Sequence, residues 1–350
     1  MSVSFGAATA LFERIPWAQL GFVPTPLYRL ENLSDELGVN LYIKRDDFTG
    51  MNLFGGNKVR KREYLLGAAK ARGCEYVITY GATQSNHAME TAASCRRLGM
   101  QPILYLTAVV EPDEADVRSN LLLDRILGAE IHIVDILPGE TEEDADARAA
   151  ERGAQRCREL NESGHPCMDI PMGGANDLGS VGFARGYLEL RAQLDQLGVA
   201  ADFIFHATGT GGTLAGLLAG RSLLGGEEEI VPVAVSFKDD AYRDKVSGIA
   251  NRVLALLGAQ ERVGRDDFEL ERGYYLPGYE QPNAQASEAI SLMARHEGLF
   301  IDPVYTGKAF AGLIGNVRSG RVKPGSNVVF WHTGGATALF AEQQILGKLY

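Results

Sequence analysis

Asp202-Phe203-Ile204-Phe205-His206-Ala207 runs straight into Thr208-Gly209-Thr210-Gly211-Gly212-Thr213-Leu214-Ala215-Gly216. A short apolar run, a loop of glycine and threonine, then an apolar stretch of helix-forming residues spell strand, turn and helix. The same order recurs along the chain. VITYG at 77–81 precedes a helix from about Asn86, and NVVFWH at 327–332 precedes one from about Ala336. PILYL at 102–106, EIHIV at 130–134 and IVPVAV at 230–235 supply further strands. Strands alternating with helices make parallel sheets covered on both faces and joined by right-handed crossovers. The fold class is therefore α/β, with open, twisted, mostly parallel sheets flanked by helices. Ligands of such sheets sit beyond the carboxyl ends of strands, which makes the turns after 81, 207 and 332 the candidate site.

Composition narrows the partners. The 350 residues carry 34 Lys and Arg against 45 Asp and Glu, a net charge of −11, with 45% hydrophobic and 23% charged residues. This excludes a disordered chain and leaves no basic footprint for nucleic acid. At about 100–200 residues per domain the length fits two domains, and with no repeat or linker they are expected to be interleaved. Cys74, Cys95, Cys157 and Cys167 form no C-x-x-C pair, and the amino end MSVSFGAATALFERIPW lacks a secretory pattern. The most apolar window, AGLLAGRSLL, is broken by Arg221. These readings expect reduced thiols, a cytoplasmic location and no membrane insertion. The six histidines show no metal-ligand spacing, so no metal is expected. Residues 141–163 and 178–197 read as long amphipathic helices with solvated outer charges.

Each of the three turns has its own chemistry. In 208–213, glycines let successive N–H groups converge on one anion, the helix start adds partial positive charge, and threonine hydroxyls can donate. This is a phosphate cup or a tight strand-to-helix turn. It is neither a P-loop nor a dinucleotide fingerprint, because the spacing of its glycines fails both. At Ala82-Thr83-Gln84-Ser85-Asn86-His87-Ala88, Ser85, Asn86 and the free N–H groups of the first helical turn could hold a carboxylate, or Ser85 could simply cap the helix. His332-Thr333-Gly334-Gly335 places a hydroxyl at a third strand end. Elsewhere, Gly55-Gly56-Asn57-Lys58 sets a lysine at a helix start, where the dipole disfavours it. A Schiff base with a phosphate-bearing aldehyde would compensate. Arg60, Lys61 and Arg62 behind it read as mostly solvent-facing.

Together these segments resemble pyridoxal-phosphate enzymes of the tryptophan synthase β type, fold type II, in the branch of D-cysteine desulfhydrase and 1-aminocyclopropane-1-carboxylate deaminase. The likeness spans Pro24-Thr25-Pro26-Leu27, Tyr42-Ile43-Lys44-Arg45-Asp46-Asp47, Gly55 to Lys58, Gln84 to His87, the 208–216 loop, Asp302-Pro303-Val304-Tyr305-Thr306-Gly307-Lys308 and His332 to Gly335. It implies two such sheets: a large cofactor domain from 1–58 and 169–350, and a small domain from 59–168. It implies that Lys58 bonds the cofactor and moves the Cα proton, and that Asn86 meets the cofactor's ring oxygen. Thr208, Gly209, Thr210, Gly211, Gly212 and Thr213 would hold the phosphate end. Asn57, Ser85, Asn86 and His87 would face the substrate, with Ser85 and His87 on its carboxylate. Tyr279, in Pro277-Gly278-Tyr279, and Tyr305 match two tyrosines that face the substrate in this branch. A homodimer is implied as well.

Thr306 and Thr333 stand where the deaminase branch has Glu and Leu. A neutral hydroxyl beside the pyridine nitrogen favours its protonation less than a carboxylate would, which weakens the electron sink. A Cα carbanion is then best drained by expelling a β-substituent, which points to a carbon–sulfur lyase giving pyruvate and ammonia, with D-cysteine the first substrate. L-cysteate, which would release sulfite, another β-substituted amino acid, cyclopropane opening and a non-catalytic cofactor binder are the alternatives. Met89 stands where relatives commonly have arginine, which removes a partner for an anionic side chain. Met51-Asn52-Leu53-Phe54 and Lys238-Asp239-Asp240-Ala241 are individual to this chain.

Overall fold

The computed structural model describes residues 5–50 and 52–349; residues 1–4 of the amino-end reading and Met51 lie outside the described residues. The strands are β1 Leu27–Arg29, β2 Asn40–Arg45, β3 Tyr76–Ala82, β4 Gln101–Thr107, β5 Glu130–Val134, β6 Cys167–Asp169, β7 Phe203–Thr208, β8 Glu229–Ala234 and β9 Asn327–His332. The first six helices are α1 Phe5–Phe12, α2 Glu31–Leu37, α3 Asn57–Ala71, α4 Asn86–Leu98, α5 Ser119–Ile126 and α6 Glu142–Glu162. After them come α7 Asp177–Leu197, α8 Gly212–Leu224, α9 Ala241–Leu256, α10 Ala284–Glu297, α11 Thr306–Arg318 and α12 Gln343–Leu346.

Among the described residues two sheets form, ordered β5-β4-β3-β6 and β1-β2-β9-β7-β8, and of their strand pairings only β1–β2 is antiparallel. Helices bury both faces, so the strands read as continuous apolar runs. One side of the five-stranded sheet packs Phe183, Tyr187, Leu217, Val253 and Trp331, and the other packs Leu41, Ile43, Val231, Phe310 and Phe330. The four-stranded sheet lies between Tyr76 and Asp169, while the five-stranded sheet draws on both sides of that stretch.

Differences from the sequence reading have local causes. The helix expected from Ala336 is a short 3-10 turn, Ala336–Phe340. Strand β2 escapes an apolar-run criterion because Lys44 and Arg45 sit in it, both buried. Lys44 Nζ donates to Thr25 O at 2.7 Å and pairs with Glu189 at 2.5 Å. Glu189 thus faces inward from α7, whose charges read as solvated.

The largest correction concerns Arg60, Lys61 and Arg62, all of which are buried. Helix α3 is packed on every side: Tyr64 joins the core of Phe183 and Tyr187, while Leu65, Leu66 and Ala69 join Val77 and Cys95. From Asn57 to Gly67 no residue of the helix is exposed, so each of these three cations is buried with partners of its own. The four cysteines are free and buried, and no described helix is long and apolar enough to cross a membrane.

Candidate active site

The carboxyl ends of β3, β7 and β9 open onto one cavity of about 1020 Å³. Lys58, Asn57, Ser85, Asn86, His87, Thr208 to Gly211, Thr213, Tyr279, Tyr305 and Thr333 all line it. Six separate stretches of sequence therefore converge as expected.

Lys58 is held at the start of α3 by glycine packing. Asn57 N donates to Thr333 O at 3.0 Å, and Gly56 bridges to Gly334. A Cβ on Gly334, whose φ is +86°, would lie 2.6 Å from Gly55 O, so only glycine lets these backbones meet. Lys58 Nζ donates to Asn57 Oδ1 at 3.1 Å, and Asn57 Nδ2 donates to Thr213 Oγ1 at 3.1 Å. Asn57 was expected on the substrate; both ends of its amide instead tie the lysine to the 208–213 loop. Burial lowers the Lys58 amine, Glu90 opposes that shift and Arg62 adds to it, so the amine moves toward neutrality.

Ser85 does cap α4, its Oγ accepting from Ala88 N at 3.2 Å, and it still faces the cavity. Asn86 Oδ1 accepts from Asn120 Nδ2 at 2.8 Å and from Thr337 Oγ1 at 3.0 Å, which leaves the Asn86 amide nitrogen as its donor toward a ring oxygen. His87 departs from expectation. Its Nδ1 meets Arg62 and its Nε2 meets Thr79 Oγ1 at 2.6 Å, so neither ring nitrogen is left for a carboxylate. Met89 is buried off the cavity wall with Sδ 4.0 Å from Asn52 Nδ2.

The 208–213 turn fits a phosphate. Gly211 takes φ +95° at the start of α8, and Thr208 Oγ1 is hydrogen-bonded to Tyr242 OH at 2.7 Å. Gly212 itself is off the cavity wall; a Cβ there would lie 3.0 Å from Lys61 Nζ. Sequence reading missed Lys61 and Tyr242. Lys61 follows Lys58 by three residues, which puts both on one helix face, and that spacing was the available signal. Among the described residues the Lys61 amine has only Gly173 O, at 3.1 Å, and no carboxylate closes on it. Burial, then Lys58 and Arg62, press its pKa well below the ordinary value. A buried amine beside a glycine-rich helix start is a donor set lacking its anion, and a phosphate monoester supplies one.

Tyr279 and Tyr305 meet OH to OH at 2.5 Å, and Lys58 Nζ lies 5.9 Å from the Tyr305 ring centre. Burial pushes both phenols up, so both are neutral. Lys308 Nζ donates to Gly278 O at 2.7 Å and so pins the turn carrying Tyr279. Thr333 faces the cavity, but Thr306 stands behind the wall, its hydroxyl donating to Asp302 Oδ1 at 2.6 Å.

A lysine against a phosphate cup, between two open α/β sheets, defines a pyridoxal-phosphate enzyme of the tryptophan synthase β-like fold. The pattern of the pyridoxal-phosphate dependent enzymes matches residues 18–334, and the chain belongs to that family. It is 38% identical over 338 residues to a 1-aminocyclopropane-1-carboxylate deaminase of Methylobacterium sp. (strain 4-46), covering 94% of this chain and 96% of that one. It is also 38% identical over 320 residues to a D-cysteine desulfhydrase of Yersinia pestis (strain Pestoides F), covering 91% and 93%. The crystal structure of an ACC deaminase homologue superposes with a TM-score of 0.85 at 35% identity, covering 95% of this chain and 96% of that one. Pyridoxal phosphate is the cofactor, within the group of lyases to which these relatives belong.

Proposed function

We propose that the protein is a β-eliminating lyase for a small sulfur-bearing amino acid, D-cysteine first, converting it with water to pyruvate, hydrogen sulfide and ammonia. One observation carries this choice among the activities of its relatives. Thr333 is the polar side chain at the β9 end of the cavity, and Thr306 turns its hydroxyl onto Asp302. Carboxylates on the cavity wall come from elsewhere: Glu142, Glu143 and Asp146 at the start of α6, and Asp239 after β8. Among the described residues no acid lines the cavity beside Thr333, at the β9 end.

When bound, the cofactor supplies the electron sink that stabilises a carbanion at the substrate Cα. The chain's residues do the rest. Lys58, shifted toward neutrality, would hold the cofactor through its aldehyde and, once the substrate amine had taken its place there, would be free to take the Cα proton at Nζ. Ser85 Oγ and the first-turn N–H groups of α4 bind the substrate carboxylate, orienting Cα toward Lys58. The neutral phenols of Tyr279 and Tyr305 can give a proton to the departing sulfur.

The test is a double variant, Thr306→Glu with Thr333→Leu. Elimination from D-cysteine is expected to fall at least about tenfold, the size of one misplaced hydrogen bond to a charged group. Unchanged turnover would sink the argument from the ring nitrogen.

A further inference from the structure

Helix α3 starts badly by its own sequence. Its N-cap, Gly56, has no side chain, its first turn holds no acid, and Lys58, Lys61 and Arg62 all fall within its first two turns. Cations there oppose the helix dipole. The compensating carboxylate comes from the neighbouring helix. Glu90 of α4 is 3% exposed, and its Oε1 lies so close to the start of α3 that a Cβ on Gly56 would be 2.6 Å away. Glu90 Oε2, fully buried, has no hydrogen-bond partner among the described residues.

We propose that Glu90 is a positioning residue for Lys58: its carboxylate caps α3 from across the α3–α4 contact and supplies the counter-charge that sets how readily Lys58 holds a proton. The proposal rests on Lys58 being the cofactor lysine. The charged groups facing Glu90 are Lys58, Lys61 and Arg62 from α3 and Asp46 from the turn after β2; His87 lies one turn back on α4. Asp302 also acts on Lys58. Burial raises the Glu90 carboxyl against the pull of Lys58 and Arg62, and Glu90 foremost opposes the lowering of Lys58 by burial. Each group thus restrains the other's loss of charge.

The test uses the full chain, stripped of cofactor and then offered pyridoxal phosphate at a series of pH values. The rate at which the visible band of the lysine linkage grows reports the neutral fraction of Lys58. Glu90→Gln keeps the size of the side chain but removes the charge, and the midpoint of this profile should move down by about one pH unit. Glu90→Asp, which keeps the charge, should restore most of the wild-type midpoint. If Glu90 merely caps the helix, Glu90→Gln leaves the midpoint unmoved, and that result overturns the proposal. Should Glu90→Gln fail to fold, the carboxyl infrared band of Glu90 can be titrated in the wild type and in Lys58→Ala. Its midpoint should rise without Lys58, and an unchanged titration overturns the proposal equally. A visible band that survives in Lys58→Ala would instead overturn the lysine assignment.

Discussion

Arg60 and Lys61 are neighbours on one helix, equally buried, and their surroundings are opposite. Arg60 donates to both oxygens of Asp46 at 2.8 Å and to Glu189 at 2.9 Å, with Thr25 and Lys44 completing a closed network. Lys61, with Lys58 beside it, faces a cavity, and Glu90 of α4 is the carboxylate whose charge acts on it. A buried charge is tolerated when it is paired and hydrogen-bonded. The Arg60 side meets that requirement from within the chain; the Lys61 amine, hydrogen-bonded to a single carbonyl, meets it fully with an anion from outside. The contrast separates charges that hold the fold from charges that hold the ligand.

Substitutions on the two sides should therefore fail differently. Lys58→Ala should abolish the visible cofactor band and cut turnover by at least about a thousandfold, within the range for a lost proton-transfer group, while the denaturation midpoint stays near that of the wild-type apoprotein. On the other side, Glu189→Ala should cost about 3–5 kcal/mol of stability by denaturant titration, because Arg60 and Lys44 lose a buried partner. Its pyridoxal phosphate affinity, measured on folded protein, should change little.

Acid should act on that side as well. Burial alone would raise Glu189, but Arg60 and Lys44 outweigh it and hold the carboxyl at about 2. A depressed carboxyl contributes its stability above the unfolded value, near 4.5, and loses it as pH falls toward 2. The shift corresponds to about 3 kcal/mol. Stability measured against pH should drop across that window, and Glu189→Gln should flatten the drop. The smallest effect belongs to Lys61→Ala, which should weaken pyridoxal phosphate binding about 10- to 100-fold, the worth of one hydrogen bond to a charged group. Pyridoxal, which lacks the phosphate, should bind the variant and the wild type alike; an equal loss for both would remove Lys61 from the phosphate end.

The same contrast explains what was legible in the sequence. Apolar runs such as NVVFWH and DFIFHA marked strands because both faces of each are covered, and the glycine-rich turns marked the strand ends that carry the site. Polar residues carried less. Lys44 and Arg45 hid β2, and the run Arg60-Lys61-Arg62 read as surface because burial of three adjacent cations depends on partners far along the chain: Glu189 and Gly173 come from beyond residue 170, and Thr91 from α4. Asn57 and His87 were found by their place in a motif, yet their hydrogen bonds go to the protein. Their partners, Thr213 and Thr79, lie on other elements. Glu90 left no mark at all, since its meaning depends on the bare backbone of Gly56 opposite it.

The most direct test is keto-acid release by the protein saturated with pyridoxal phosphate, offered D-cysteine, L-cysteine, L-cysteate, β-chloro-D-alanine and 1-aminocyclopropane-1-carboxylate in parallel. Pyruvate from D-cysteine and from β-chloro-D-alanine, with sulfide from the former, is the predicted result. Keto acid from the cyclopropane substrate with none from D-cysteine would contradict it.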